Sequence, residues 1–169
     1  PYTIVRKLTK TVFAEYQATS KDAFAEGVLK ALRNSQNEAM QLALIGGECL
    51  IKPVPVKDGF YFTVIPRNNV YVFGRDITGM PTDIGTEEKS VFGRHFYTFL
   101  ERRTVDENGF LTIKNYLYRS TTESELGTRT SLASNPRYAM LEDEFTFSRP
   151  VGSIGLVRMK TPMVNSIDG

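Results

Sequence analysis

The spacing of apolar residues changes at Gly46-Gly47, and this change constrains the fold more than any other feature of the chain. Between Pro1 and Tyr16, apolar residues recur every four positions, as on one face of an amphipathic helix. This stripe consists of Ile4, Leu8, Val12 and Tyr16. After the glycine pair, short β-rich runs are bounded by turn residues. Segregated helical and strand segments predict an α+β fold, with N-terminal helices packed on an antiparallel β-sheet or partly open barrel with long hairpins.

The helical part, residues 1–47, is expected to contain two further helices. One is predicted to start after Ser20 and to end near Asn34. The next is predicted to begin at Ser35–Glu38, where serine and glutamate have the spacing of a capping box that satisfies free backbone N–H groups. We expect it to end at Gly46-Gly47, because glycine tolerates the left-handed conformation of a helix end.

The first strands follow directly. Glu48–Val56 and Phe60–Ile65 are predicted to form a hairpin around Lys57-Asp58-Gly59, since Asp-Gly favours a tight turn. Pro53 and Pro55 have no backbone N–H to donate. The first strand is therefore expected to lie at a sheet edge or to bend there.

A longer hairpin is predicted from His95–Val105 and Phe110–Arg119, joined by Asp106–Gly109 with its Asn-Gly turn signal. Residues 74–93 collect Gly, Pro, Asp, Thr and Glu with little periodicity, and we predict a loop there. Irregular or helical structure is expected around Tyr138–Leu141. Three further short strands are predicted at Asn69–Phe73, Glu144–Phe147 and Ile154–Lys160.

Length and composition limit the possible classes of protein. A chain of 169 residues with 41% hydrophobic and 24% charged residues predicts one folded domain over 1–169, mainly β from residue 48 onward. The formal charge of +2 is too small for one copy to attract nucleic acid strongly. A single cysteine favours a reducing compartment. No apolar run is long enough to span a membrane, so we expect no membrane partner. The chain begins with Pro1 rather than Met, and we expect a fragment of a longer polypeptide.

Residues with reactive side chains are few. His95 is the only histidine and lies in an aromatic strand, which favours a structural or surface role. Cys49 has the surroundings of a small buried strand residue. Ser153 lacks the preceding glycine of a nucleophile elbow, and Glu142–Glu144 is expected to be a solvated acidic run. We therefore expect no enzyme activity, no cofactor and no metal site.

Two basic clusters are candidate contact sites. Arg6, Lys7 and Lys10 lie on the first predicted helix, and Arg102 and Arg103 lie on a long strand. They are either solvated faces or positions that face DNA or a neighbouring subunit. Weak contacts of this kind become significant when many copies are displayed together.

Several segments carry a family resemblance through their order and spacing. They are Leu42–Glu48, Ile51–Pro53, Tyr97–Glu101, Leu111–Tyr118, Glu125–Gly127 and Lys160–Pro162, followed by Asn165, Ile167 and Asp168. In these segments the chain resembles the portal proteins of tailed double-stranded DNA bacteriophages. It is most similar to the branch found in phages and prophages of Gram-positive hosts, and it resembles the N-terminal, wing-forming part of the subunit.

The resemblance implies a structural subunit without catalytic residues. In this family, about a dozen subunits form a ring at one capsid vertex of the virion, after synthesis in the bacterial host cytoplasm. Double-stranded DNA passes through the ring during packaging and genome ejection. The implied partners are the major capsid or scaffold protein, the DNA, the terminase and a tail adaptor. The last two would bind chiefly through stem and clip segments, which this chain lacks.

A second interpretation remains open at this stage. A monomeric β-barrel module could bind nucleic acid by stacking bases on aromatic side chains. The candidates for stacking are Phe96, Tyr97, Phe99 and Tyr116. Aromatic residues at strand spacing more often fill the inner face of a sheet, which favours a place in the core.

Overall fold

A computed structural model describes residues 2–14, 18–56 and 59–161. In chain order its helices and strands are α1 (Tyr2–Ala14), α2 (Ala23–Gly46), β1 (Glu48–Val56), β2 (Gly59–Pro66), β3 (Val70–Arg75), β4 (Pro81–Phe92), β5 (His95–Val105), β6 (Leu111–Ser120), β7 (Thr128–Thr130), β8 (Glu144–Thr146) and β9 (Val157–Lys160). The strands form antiparallel sheets of three and six strands, neither of which is closed into a barrel within the described residues. The predicted α+β class is confirmed, and the barrel alternative is not adopted.

The chain divides into two compact units. The first comprises the described residues of Pro1–Asn68 and Leu156–Gly169, and the second comprises Asn69–Gly155. The sequence predicts one domain over 1–169, and in the structure each of the two units has an apolar core of its own. A return of the chain to its first sheet through β9 is what makes the first unit discontinuous in sequence.

In the first unit, α2 is one continuous helix, so the predicted break at the Ser35 capping box is wrong. Asp22 caps its start by accepting the Ala25 N–H at 2.8 Å, and Gly47 ends it with a φ of 78°. Ser35 instead donates its hydroxyl to the Phe62 carbonyl of β2 at 2.9 Å. A serine in the middle of a helix is accommodated because this bond satisfies its polar group against the sheet.

The sheet of the first unit has the order β2-β1-β9, and α2 packs on it. Its buried core is formed by Ala39, Ala43, Cys49, Ile51 and Val64. Small alanine side chains let the helix backbone approach the strands closely.

Strand β1 has the predicted bounds, and its prolines lie where the sheet tolerates them. β9 pairs with β1 only from Glu48 to Ile51, so Pro53 and Pro55 have a paired strand on one side, β2. The missing N–H groups therefore interrupt no second ladder among the described residues, as an edge position requires. Lys57 and Asp58 of the predicted turn lie outside the described residues.

In the second unit the strand order is β3-β4-β5-β6-β7, and β8 pairs with β6. The predicted loop over 74–93 is wrong, because its larger part forms the twelve-residue strand β4. β4 pairs with β3 on one side and along Asp83–Phe92 with β5 on the other. Two-sided backbone pairing stabilises a strand whose own sequence has weak alternation.

The β5–β6 hairpin agrees with its predicted position within one residue at each strand end. The turn differs from a two-residue Asn-Gly turn, because Gly109 has a positive φ of 82° and Asn108 does not. Asp106 closes the turn by accepting the N–H groups of Asn108 and Phe110 at 3.0 and 2.8 Å. This is a type I turn followed by a left-handed glycine.

One face of this sheet carries the second core. It is formed by Tyr97, Phe99, Leu117, Leu132 and Tyr138. The Phe99 and Tyr138 rings are stacked, with centroids 4.4 Å apart and an interplanar angle of 7°. The irregular segment 131–141, which includes the predicted region around Tyr138–Leu141, therefore covers the sheet on this side.

Candidate functional site

Helix α1 packs against α2, but the predicted apolar stripe is not its buried side. Ile4, Leu8 and Val12 are exposed, Ile4 by 64%. The buried side includes Thr9, whose hydroxyl donates to the Val5 carbonyl at 2.9 Å and so needs no outside partner. Tyr16, the last residue of the predicted stripe, lies outside the described residues. The described part of the chain thus leaves an apolar row of α1 uncovered.

The first predicted basic cluster is on the same helix. Arg6, Lys7 and Lys10 are all exposed, and α1 contains no carboxylate over its thirteen residues. Lys7 follows Ile4 by three residues and therefore flanks the apolar row on the helix surface. We call Ile4, Lys7, Leu8, Lys10 and Val12 together the basic surface.

The second predicted cluster is divided between two faces of the sheet. Arg103 is buried and pairs with buried Glu101, with 2.7 Å between its Nε and the carboxylate. Its Nη1 also donates to the carbonyls of Ile154 and Gly155 at 3.0 and 3.3 Å. Arg103 therefore holds the segment after residue 150 against the sheet. Its expected place in a surface cluster is a wrong prediction, because consecutive strand residues point to opposite faces.

Arg102 lies on the opposite, open face and is exposed. Its guanidinium donates to both carboxylate oxygens of Asp83 at 3.0 and 2.7 Å, and these hydrogen bonds raise the pKa of Arg102. The same group lies 5.3 Å from the centre of the Phe73 ring. A bidentate, stacked arginine is oriented by its neighbours and is poorly placed to reach a separate phosphate.

Other cations on this open face also have neighbours. Lys89 lies 3.7 Å from Glu87, and Lys114 lies 3.3 Å from Glu144. Arg129 lies above the Tyr116 ring at 5.0 Å. Positive and negative groups alternate, so this face has no continuous basic surface of the kind that binds a polyanion tightly.

Glu87 has a second contact on the open face. Tyr71 donates its hydroxyl to this carboxylate at 3.3 Å, and the negative charge of Glu87 raises the pKa of Tyr71. The tyrosine therefore stays protonated over the physiological pH range.

The aromatic residues proposed for base stacking are separated by the fold. Tyr97 is 4% exposed and Phe99 is 0% exposed, because both belong to the second core. The favoured place in the core is thus confirmed for both residues, and the stacking alternative does not hold for them, since a base cannot reach a ring inside the core. Phe96 and Tyr116 remain partly exposed on the open face.

Cys49 is a buried strand residue, as predicted. Its thiol donates to the Ala39 carbonyl at 3.3 Å. Burial, with the nearby Glu38 and Glu48 charges, raises the pKa of Cys49 to about 11. Since the thiolate is the nucleophile, this environment suppresses its reactivity at neutral pH.

His95 is half-buried at the start of β5, with its ring edge-on to Tyr97 and centroids 6.5 Å apart. Ser153 lies in an exposed segment. Glu142–Glu144 is exposed, as expected for a solvated acidic run. Across the described ranges, no three His, Cys, Asp or Glu side chains are grouped so that they could hold a metal ion.

Exposed apolar side chains flank the acidic run, which the sequence did not predict. Met140, Phe145 and Phe147 are exposed, and the two phenylalanine rings contact each other edge-to-face at 5.1 Å. We call residues 140–147 the acidic surface. The alternation of Phe145 and Phe147 predicts a strand with one apolar side, but only the structure shows that this side is uncovered.

The chain matches no protein-family model and no curated protein. Among the described residues, neither helix combines the length and the apolar character that crossing a membrane requires.

Proposed function

We propose that this chain is the wing-forming part of a bacteriophage portal subunit. It is a structural element of the ring through which DNA enters and leaves the capsid. Its contribution is mechanical: it supplies folded units that contact neighbouring subunits and the capsid. The major capsid or scaffold protein, the terminase and a tail adaptor are the further partners under this proposal.

The observation that carries the proposal is the resemblance of separate sequence segments that form continuous structure within each of the two units. Leu42–Glu48 forms the end of α2, its left-handed glycine and the first residue of β1. Tyr97–Glu101 and Leu111–Tyr118 lie on neighbouring antiparallel strands. Segments that resemble one family and also meet in space support a shared architecture better than isolated motifs do. Pro162, Asn165, Ile167 and Asp168 lie outside the described residues.

The distribution of charge is compatible with a conduit. A channel must let DNA pass without holding it, and the paired cations on the open face of the second unit favour weak contact. The formal charge of +2 per chain sums to roughly +24 over about a dozen copies, which gives a diffuse attraction around a central axis. Such a field concentrates DNA near the ring while each single contact stays weak.

Negative-stain electron microscopy of the complete gene product tests the proposal. We expect annular particles with a central hole, and an assembly mass of about a dozen subunits by light scattering. A deletion of the gene should yield capsids without packaged DNA. A gene product that remains monomeric at high concentration and is dispensable for filling capsids would overturn the proposal.

The same preparation separates this function from that of a nucleic-acid-binding monomer. The probe is a short fluorescent single-stranded DNA, and its anisotropy is measured with the isolated chain at physiological salt. We expect no saturable binding at micromolar protein. Micromolar or tighter binding by a monomer would favour the nucleic-acid-binding alternative.

A further inference from the structure

The basic surface and the acidic surface are opposite in charge and alike in their apolar content. The basic surface has an exposed apolar row with Lys7 beside it, and Lys10 one turn beyond Lys7, on a helix that contains no carboxylate. The acidic surface has exposed Phe145 and Phe147 directly after three consecutive carboxylates, and residues 140–147 contain no basic residue. The register with β6 places Phe145 on the face of Ile113 and Glu144 on the opposite face beside Lys114, which leaves Glu142 and Asp143 for a partner. The two surfaces belong to different units of the chain.

Each surface has features that are costly to leave in water. Exposed apolar groups that form a contiguous row mark sites of association. On the acidic surface, β8 pairs with β6 only, so one of its edges is unpaired within the described residues. An exposed edge strand with aromatic side chains also favours contact with another chain.

The dimensions of the two surfaces are compatible. Ile4 and Val12 are eight residues apart, which corresponds to about 12 Å along a helix axis. Phe145 and Phe147 are about 7 Å apart along an extended strand, and their rings contact each other. The apolar row of the helix can therefore lie across the phenylalanine pair, with Lys7 at the edge of the row and Glu142 and Asp143 at the start of the strand.

We propose that the basic surface of one copy binds the acidic surface of a neighbouring copy. This inference rests on the proposed ring, and it identifies the two different surfaces that a head-to-tail ring requires of each subunit. A second copy of this chain is the occupant because it provides the complementary charge together with matching apolar groups. Ring closure supplies every subunit with two such contacts, so each contact can be individually modest.

Charge reversal on either side provides the test. The first variant carries Lys7→Glu and Lys10→Glu, and the second carries Glu142→Lys and Asp143→Lys. Glu144 is left unchanged because it lies 3.3 Å from Lys114 within the same copy. In the complete gene product, we expect each variant to require at least about tenfold higher concentration to assemble, measured by analytical ultracentrifugation.

Restoration of assembly distinguishes surface pairing from general damage. A chain that carries all four substitutions has both charges exchanged and should assemble as the wild type does. An equimolar mixture of the two variants should also assemble, with the variants alternating around the ring. Circular dichroism checks that each variant is folded, and a milder pair, Lys7→Gln with Lys10→Gln, should give an intermediate loss.

Matched controls change the same charge at other exposed positions. Lys21→Glu with Lys30→Glu alters the first unit outside α1, and Glu107→Lys with Glu123→Lys alters the second unit outside the acidic surface. Both control pairs should assemble at the wild-type concentration.

The outcomes separate this inference from the proposed function. The surface pairing is wrong if the wild type forms rings that neither reversal weakens, or if assembly is not restored in the chain with all four substitutions. The proposed ring is supported in both cases. If the wild type is monomeric, the ring and the pairing both fail.

Discussion

Two hairpin tips in the second unit have one turn pattern, Asp-x-x-Gly-x, and different surroundings. At the β3–β4 tip, the Asp76 carboxylate accepts the N–H groups of Thr78 and Met80 at 2.8 and 2.9 Å. At the β5–β6 tip, Asp106 does the same at the corresponding positions, at 3.0 and 2.8 Å. The glycine of each turn has a φ of 82°. The two turns thus share the same carboxylate hydrogen bonds and the same glycine conformation.

The surroundings come from elsewhere in the chain. The Gly109 carbonyl accepts the N–H groups of Val151 and Gly152 at 2.8 and 3.0 Å, so a distant segment covers this tip. At the other tip, a Cβ built on Gly79 would meet no described atom within 4 Å, and Ile77 is fully exposed. The same turn conformation should therefore contribute different amounts to the free energy of unfolding at the two tips. Substitutions at each tip measure this difference.

The largest effect is expected from valine at the two glycines. Gly79→Val should cost about 1 kcal/mol, because a β-branched residue resists a positive φ. Gly109→Val should cost about 2 kcal/mol, since its Cβ would already be in van der Waals contact with Pro150 and Gly152, which leaves little room for the two γ-carbons. Urea unfolding of both variants measures the difference, and equal losses would show that the covering segment contributes nothing.

A smaller effect is expected from removal of the turn carboxylates. Asp106→Ala should lower the free energy of unfolding by about 1 kcal/mol, because two backbone N–H groups lose their carboxylate acceptor in a turn whose Gly109 carbonyl also holds the segment at Val151. Asp76→Ala should cost less globally and act locally, with faster hydrogen exchange at Thr78 and Met80. Asp76→Asn is the control, since its side-chain oxygen still accepts. Unchanged exchange in Asp76→Ala would contradict this account.

The stability of the β3–β4 tip should depend on pH through Asp76. Hydrogen bonds from the Thr78 side chain first, and then from backbone N–H groups, hold the pKa of Asp76 below its ordinary value. Because the folded pKa is the lower one, this contribution is present above the unfolded pKa and is lost as pH falls through the folded value. An NMR titration of the Asp76 carboxyl should give a pKa below that of an unstructured aspartate. A pKa equal to that of an unstructured aspartate would mean that these hydrogen bonds are not formed in solution.

The smallest effect is expected at Ile77. Ile77→Ala should leave the free energy of unfolding within about 0.5 kcal/mol of the wild type, because this side chain is fully exposed. Thermal unfolding by circular dichroism provides the measurement. A loss above about 1 kcal/mol would mean that this tip is covered in solution, as the other tip is.

Strong local signals made much of the fold predictable. The bounds of β1 and β5 agree with the sequence prediction, and Gly47 ends α2 as expected. The misses have a common physical origin in contacts between distant segments. In the sequence, Ser35 has the spacing of a helix cap, but in the structure its hydroxyl donates to a carbonyl of β2 instead. β4 has weak alternation and becomes a strand through its two neighbours.

The candidate surfaces also combine features that local sequence predicts with features that depend on contacts between distant segments. The exposure of Lys7 and Lys10 follows from their places on a basic, amphipathic helix. The exposure of Leu8 was not predictable, because a helical stripe indicates an apolar side without specifying what covers it. The sequence places Arg103 in a surface cluster with Arg102, whereas the structure buries Arg103 in an ion pair with Glu101.

The sequence by itself determined the α+β class and the change from helix to strand at the glycine pair. These depend on backbone preferences and on hydrogen bonds between residues close together in the chain. Only the tertiary structure decided which faces are covered: Thr9 is buried while Leu8 is exposed, and Arg103 is buried while Arg102 is exposed. Burial depends on segments far along the chain, and local sequence carries no information about where they pack.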